Sequence, residues 1–192
     1  MLYISTPSWS QVIPIDGVNE YCAAHNIVRV PDGSYLKDVN GLFDRYIGDW
    51  EITHNNRNYK FYINKDVHTF RDRSGIRTDF MYITYLVTEQ DGTIVADTRL
   101  EQSFSIYGLE FIENYTTYIF GYKGERSECG NDGDIYLSYI EPTPSNPAPR
   151  IQLDLIHGGT LLTYREDCQD FNFNNDVTLA PMKYDSFILT AQ

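Results

Sequence analysis

At 192 residues, with 42% apolar and 22% charged side chains, the chain has the length and composition of one globular domain with a core of its own, not of a disordered segment. Its formal net charge of −12 opposes a phosphate backbone. The one basic concentration, Arg71, Arg73 and Arg77, is interleaved with Asp72 and Asp79, which excludes a nucleic-acid interface, and no apolar run approaches the ~20 residues of a membrane-spanning helix.

Sixteen tyrosines and ten phenylalanines favour strands, because aromatic side chains suit a pleated, half-buried surface. Residues 1–34 read as an N-terminal extension, and residues 35–192 as the folded domain. Residues 1–11, MLYISTPSWSQ, are similar to the cleavage end of a signal peptide without its charged start, so export to the periplasm or the exterior is expected. Across residues 35–46, Leu36, Val39, Phe43 and Tyr46 recur at helical spacing, which predicts a short helical segment interrupted by Gly41.

From Trp50 onward the hydrophobic period is two. Residues 51–54 lead through Asn55, Asn56, Arg57 and Asn58 into a strand carrying Tyr59, Phe61 and Ile63, the first hairpin. Residues 80–89, FMYITYLVTE, turn at Asp91-Gly92 into residues 93–98. Further strands are predicted at 102–106, 110–112, 116–123, 135–140 and 151–157, then at 160–165 after Gly158-Gly159, and at 177–179 and 186–190. Residues 141–150, EPTPSNPAPR, hold four prolines that cannot donate to a ladder and so form a surface connection. The pattern predicts an all-β fold, a single antiparallel barrel of about eight to ten strands, since closure removes exposed edges.

The segment LKDVNGLFDRYIGDWEI, residues 36–52, places Gly48 and Trp50 at the mouth of the first strand. It resembles the G-x-W entry of lipocalin-like barrels. With the closing FILTAQ, it is also similar to an uncharacterised family of small secreted bacterial proteins, a domain of unknown function. The resemblance implies a structural role for Gly48 and Trp50, a β-rich fold and export, with no catalytic residues to carry over. Thr78-Asp79-Phe80 is similar to the second lipocalin motif but comes too early in the strand order, and it reads as coincidence.

Cys22, Cys129 and Cys168 are an odd number without C-x-x-C spacing, which argues against zinc and thioredoxin-like chemistry. Cys129 and Cys168 each lie in a polar loop, where an exported protein would oxidise them. That bridge would gather Glu128, Asp132 and Asp134 near Glu166, Asp167 and Asp170. Hard cations take several oxygen ligands, so a structural calcium ion is the one cofactor these residues suggest, although no EF-hand spacing is present.

No hydrolase, zincin, phosphate-loop or dinucleotide motif occurs, and His25, His54, His68 and His157 are scattered, so no catalytic residue is assigned. The aromatic surplus suggests binding. Tyr59, Phe61, Tyr82, Tyr85, Tyr118, Phe120, Tyr136 and Tyr139 lie on alternating strands. If the barrel is hollow they would line a site for one small apolar or amphipathic molecule. Two further readings stand beside this non-enzymatic carrier. One is a structural or interaction protein with a filled barrel and acidic partner-binding loops; residues 124–192 hold 11 acids against 4 bases. The other is a carbohydrate-directed enzyme, which would need two close carboxyls in an open cleft.

Overall fold

Alternation of buried and exposed side chains runs through the strands of the computed structural model, which describes residues 11–71, 75–100, 106–112, 115–124, 127–157, 166–170, 179–183 and 185–191. In chain order the elements are β1 (Val12–Pro14), α1 (Val18–His25), β2 (Tyr35–Lys37), β3 (Gly48–His54), β4 (Arg57–Arg71) and β5 (Ile76–Glu89). They continue with β6 (Ile94–Asp97), β7 (Ile106–Ile112), β8 (Thr117–Lys123), β9 (Asp132–Ile140), β10 (Arg150–His157) and β11 (Phe187–Ala191). The chain divides into two compact units, Met1–Leu42 with Asp66–Phe80, and Phe43–Lys65 with Met81–Gln192. The long strands β4 and β5 contribute to both.

The larger unit is a closed barrel of eight antiparallel strands in the order β5, β4, β3, β11, β10, β9, β8, β7. It closes through Tyr82↔Tyr107 and Ile83↔Ile106, while β6 pairs β5 off this path. Apart from β6 and the seam where the last strand, β11, meets the first, β3, neighbours in the barrel follow one another in the chain, an up-and-down order. The β3–β4 hairpin has the two-residue loop Asn55-Asn56, both at positive φ (48° and 64°), the geometry whose twist matches that of the strands it joins. Period-two patterning directs Phe61, Ile63, Met81, Ile83, Phe120, Ile135, Leu137, Ile151, Leu153, Phe187 and Leu189 inward, where all are essentially inaccessible to solvent.

Trp50 begins this packing at one end. It is 3% exposed, and its indole Nε1 donates to the Tyr46 carbonyl at 2.8 Å. Tyr46 in turn donates its hydroxyl to the Thr116 carbonyl at 2.9 Å; burial pushes its phenol pKa up, and the neighbouring Arg45 partly offsets that. The Arg45 guanidinium lies 4.9 Å from the Tyr46 ring centre and 5.4 Å from that of Tyr139, and it donates to the Tyr115 carbonyl. Gly48, at φ +142°, occupies backbone space that L side chains rarely enter.

The smaller unit is built from parallel pairings, β1 with β2 and β2 with the start of β5 (Tyr35↔Arg77, Leu36↔Thr78). Its polar centre is Asp79, 3% exposed, whose carboxylate accepts from the Tyr35 hydroxyl at 2.5 Å, from Asp38 N at 3.0 Å and from His68 N at 3.0 Å. His68 sits at φ 58°, and Arg77 donates to its carbonyl. Desolvation, followed by the hydrogen bond to Asp79 and the charge of that carboxylate, pushes the Tyr35 phenol up to about 12.

Helical structure forms at Val18–His25 and not over residues 35–46, a correction with a local cause. Tyr35–Lys37 is drawn into the parallel pairing, the Asp38 carboxylate accepts from Leu42 N at 2.7 Å, and Gly41 turns at φ 67°, leaving residues 42–46 as successive turns. Strands appear where residues 51–54, 59–63, 80–89, 116–123, 135–140, 151–157 and 186–190 predict them, and β7 covers 110–112. Those predicted at 102–106 and 177–179 lie mostly outside the described residues. The Gly158-Gly159 turn and residues 160–165 lie wholly outside them. The proline-rich connection links β9 to β10 through a small bridge, Thr143↔Asn146.

Candidate functional site

The eight aromatic residues expected to line a cavity do not share one face. Tyr59, Phe61, Tyr85, Tyr118 and Phe120 are buried on the inward rows, and Tyr139 is half-buried on the inward row of β9. Tyr82 and Tyr136 have the opposite parity to the buried pairs Met81/Ile83 and Ile135/Leu137, so they face outward. The inward rings pack on one another. Phe111 and Tyr118 lie 4.7 Å apart between centres, Tyr118 and Phe120 5.0 Å, Phe43 and Tyr118 5.4 Å, and Tyr59 and Phe187 5.0 Å. Edge-to-face contacts of this kind are how aromatic cores fill space. Tyr59 Oη is buried with no hydrogen-bond partner in range among the described residues. Burial raises its pKa, and the nearby Arg57 guanidinium, itself 3.0 Å from Glu89, offsets part of that rise.

Cys129 and Cys168 are joined by a disulfide with a Cα separation of 5.3 Å, and both are buried; Cys22 is free and half-buried on α1. The bridge ties the 3₁₀ turn Ser127–Cys129 to the 3₁₀ turn Glu166–Cys168. Of the six acids expected around it, Glu128, Asp132 and Asp134 line one groove, whereas Asp167 and Asp170 are exposed and the side chain of Glu166 lies outside the described part. Among the described residues, no group of three or more histidine, cysteine, aspartate or glutamate side chains is placed to hold a metal ion.

That groove, about 620 Å³, opens on the outer face of β7, β8 and β9 beside the turn Ser127–Cys129. Its floor follows from register: Tyr107, Gly121 and Asp134 are paired across three adjacent strands. A β-carbon at Gly121 would stand 2.8 Å from Tyr107 Cζ and 2.9 Å from its hydroxyl oxygen, so only glycine lets the phenol lie over the central strand. The β7–β8 ladder shifts between Gly108 and Glu110, leaving Leu109 as the extra residue of a bulge. Tyr107 and Leu109, two residues apart on one strand face, are both outward, 39% and 41% exposed, and the shift leaves Glu110 exposed next to them. Lys123, Glu128 and Asp132 complete the walls, and Asp132 Oδ1 is buried with no partner in hydrogen-bond range among the described residues.

A second groove of about 390 Å³ involves Glu51, Lys60, Thr53, Asn58, Thr88 and Thr190, but its polar groups engage each other: Glu51 pairs Lys60 at 3.6 Å and Thr53 donates to Asn58 at 2.8 Å. Elsewhere the Ser186 hydroxyl donates to the Asp154 carboxylate, and His54 faces Asp185 at 3.5 Å. The sequence pointed to Glu128, Asp132 and Asp134 as ligands of a calcium ion and not as walls of a groove, and it did not single out Tyr107 or Gly121. The signal that could have found them is an exposed aromatic paired across a hairpin with a glycine. Comparison of the chain with protein-family models, with curated proteins and with solved structures returned no match.

Proposed function

We propose that the protein is an exported, non-enzymatic interaction domain in which the barrel interior is structural core and partners are met on the outer surface. The observation that carries this reading is the packing of the inward aromatics, all buried, with Tyr59 against Phe187, Phe61 against Tyr85 and Tyr118 against Phe120. Side chains of this size fill a small barrel, and a filled barrel has no room for a ligand of their own size. The disulfide supports export, since such bonds persist in oxidising compartments. The uneven negative charge supports an outer surface that discriminates among partners by sign.

A panel of fluorescent fatty acids and related apolar probes tests the reading. The expected result is no saturable binding to the folded protein; stoichiometric uptake would overturn it in favour of a carrier. One observation supports that second reading, the buried Tyr59 hydroxyl without a partner in range among the described residues, because such a group is satisfied by a bound polar atom. On the carrier reading, Tyr59→Phe would weaken probe uptake; on the interaction reading there is none to weaken.

A further inference from the structure

We infer that the groove across β7, β8 and β9 is a docking site for a basic peptide segment of a partner, with an arginine or lysine side chain laid against Tyr107 and its charge facing Glu128, Asp132 and Asp134. The inference rests on the interaction reading above and names its surface. Three features coincide here. Leu109 stands outward on the same strand face as Tyr107, two residues along, giving an apolar shoulder for the methylene stem of a long cationic side chain. Gly121 keeps the middle strand clear, so the Tyr107 phenol lies over it in reach of an incoming cation. Among the described lining residues three carboxylates stand with one ammonium, that of Lys123, so this lining is net negative in a chain that is itself strongly negative.

Charge complementarity selects the occupant. An anionic segment is repelled by the groove and by the whole molecule, whereas a cation gains from both. A neutral oligosaccharide could stack on Tyr107 but gains nothing from the field. The carboxylate oxygen Asp132 Oδ1, buried without a partner in range among the described residues, offers an acceptor suited to a guanidinium or ammonium donor. Carboxylates are acceptors only, so a donor-rich side chain satisfies them where an acceptor would not.

The test is fluorescence anisotropy of the intact, oxidised protein with a fluorescein-labelled peptide of alternating arginine and glycine. A glutamate-for-arginine peptide and a neutral oligosaccharide serve as comparison arms. The arginine peptide should bind saturably at one site, weaken as ionic strength rises past roughly 0.1 M, where the screening length is about 10 Å, and be unmatched by the other two. Tyr107→Leu, which keeps an apolar side chain over Gly121, should weaken binding about fivefold, while Tyr107→Phe should retain it. Asp132→Asn with Asp134→Asn should weaken it about tenfold. Glu51→Gln, on the second groove, should change nothing, and melting curves show which variants are folded. Absence of peptide binding, equal binding by the folded variants, or capture of the oligosaccharide instead would overturn the inference. Uptake of apolar probes would overturn the interaction reading alone, because it reports on the interior.

Discussion

Trp50 and Asp79 show two different ways in which single residues hold this chain. Trp50 was legible in the sequence because Gly48 and Trp50 stand at the entry of the first strand, and its burial and its bond to the Tyr46 carbonyl follow from that position. Truncating it to alanine should cost about 3–5 kcal/mol, as for other large buried aromatics, and a denaturant midpoint unchanged by Trp50→Ala would show that it is not a core residue. Asp79 was not legible. Its partners Tyr35 and Asp38 lie 44 and 41 residues away, and nothing local in Thr78-Asp79-Phe80 announces that three donors converge there. Its consequence is measurable through Tyr35, whose folded pKa of about 12 exceeds the ordinary tyrosine value near 10. The folded state thus holds that proton more tightly than the unfolded state does. The resulting stability is complete below about pH 10 and is lost as pH rises through 12. Ultraviolet titration of tyrosinate should show a late component near pH 12 that Tyr35→Phe reduces by one tyrosine, and that variant should lose less stability than the parent between pH 10 and 12. Identical alkaline profiles would show that the Tyr35–Asp79 bond is not formed in solution.

At the scale of elements, hairpin chemistry carried most of the legible information. Asn55-Asn56 and Asp91-Gly92 mark turns because they tolerate positive φ, and the flanking alternation fixes which residues face inward. The same parity rule separates Tyr82 from Tyr85 and Tyr136 from Tyr139; a list of aromatics by strand hid it, since odd spacing puts such neighbours on opposite faces. Bulges were not legible. The shift between Gly108 and Glu110 is set by how β7 and β8 register, and it leaves Leu109 and Glu110 exposed in succession where strict alternation would turn one of them inward. The helical spacing of residues 35–46 misled for a related reason, because strand pairing of Tyr35–Lys37 and the capping of Leu42 N by Asp38 outweigh a weak helical propensity. The disulfide joins two 3₁₀ turns and closes a 39-residue separation, which on the chain-entropy model is worth about 4 kcal/mol. Replacing both cysteines by serine should therefore lower the melting temperature by roughly 10 °C in a domain of this length. A shift of a degree or less would mean that the link adds nothing the barrel lacks.

For the whole molecule, closure was readable from the number and spacing of strands, but the division into two units was not, because the smaller one draws on residues before Leu42 and on Asp66–Phe80, far apart in the chain. The two units should also differ in how readily they open. In the barrel every strand has a neighbour on both sides, and the β9–β10 ladder alone runs from Arg150↔Ile140 to His157↔Gly133. In the smaller unit β1 meets β2 over three residue pairs and β2 meets β5 over two, while α1 buries no residue. Short ladders with little buried apolar surface open at low free-energy cost, and what fastens this unit is the set of bonds that Asp79 accepts. Amide hydrogen exchange should accordingly be fast in β1, α1 and β2 and slowest in β8, β9 and β10, where it should approach the limit set by global unfolding. Asp79→Asn removes one acceptor oxygen and the charge with almost no change in volume. It should speed exchange at the amides of Tyr35, Asp38 and His68 by about tenfold or more, in line with the 1–3 kcal/mol that follows loss of a buried hydrogen-bond partner, and leave β8–β10 unchanged. Acceleration of β8–β10 to the same degree would show instead that the chain opens as one cooperative body with Asp79 contributing to all of it.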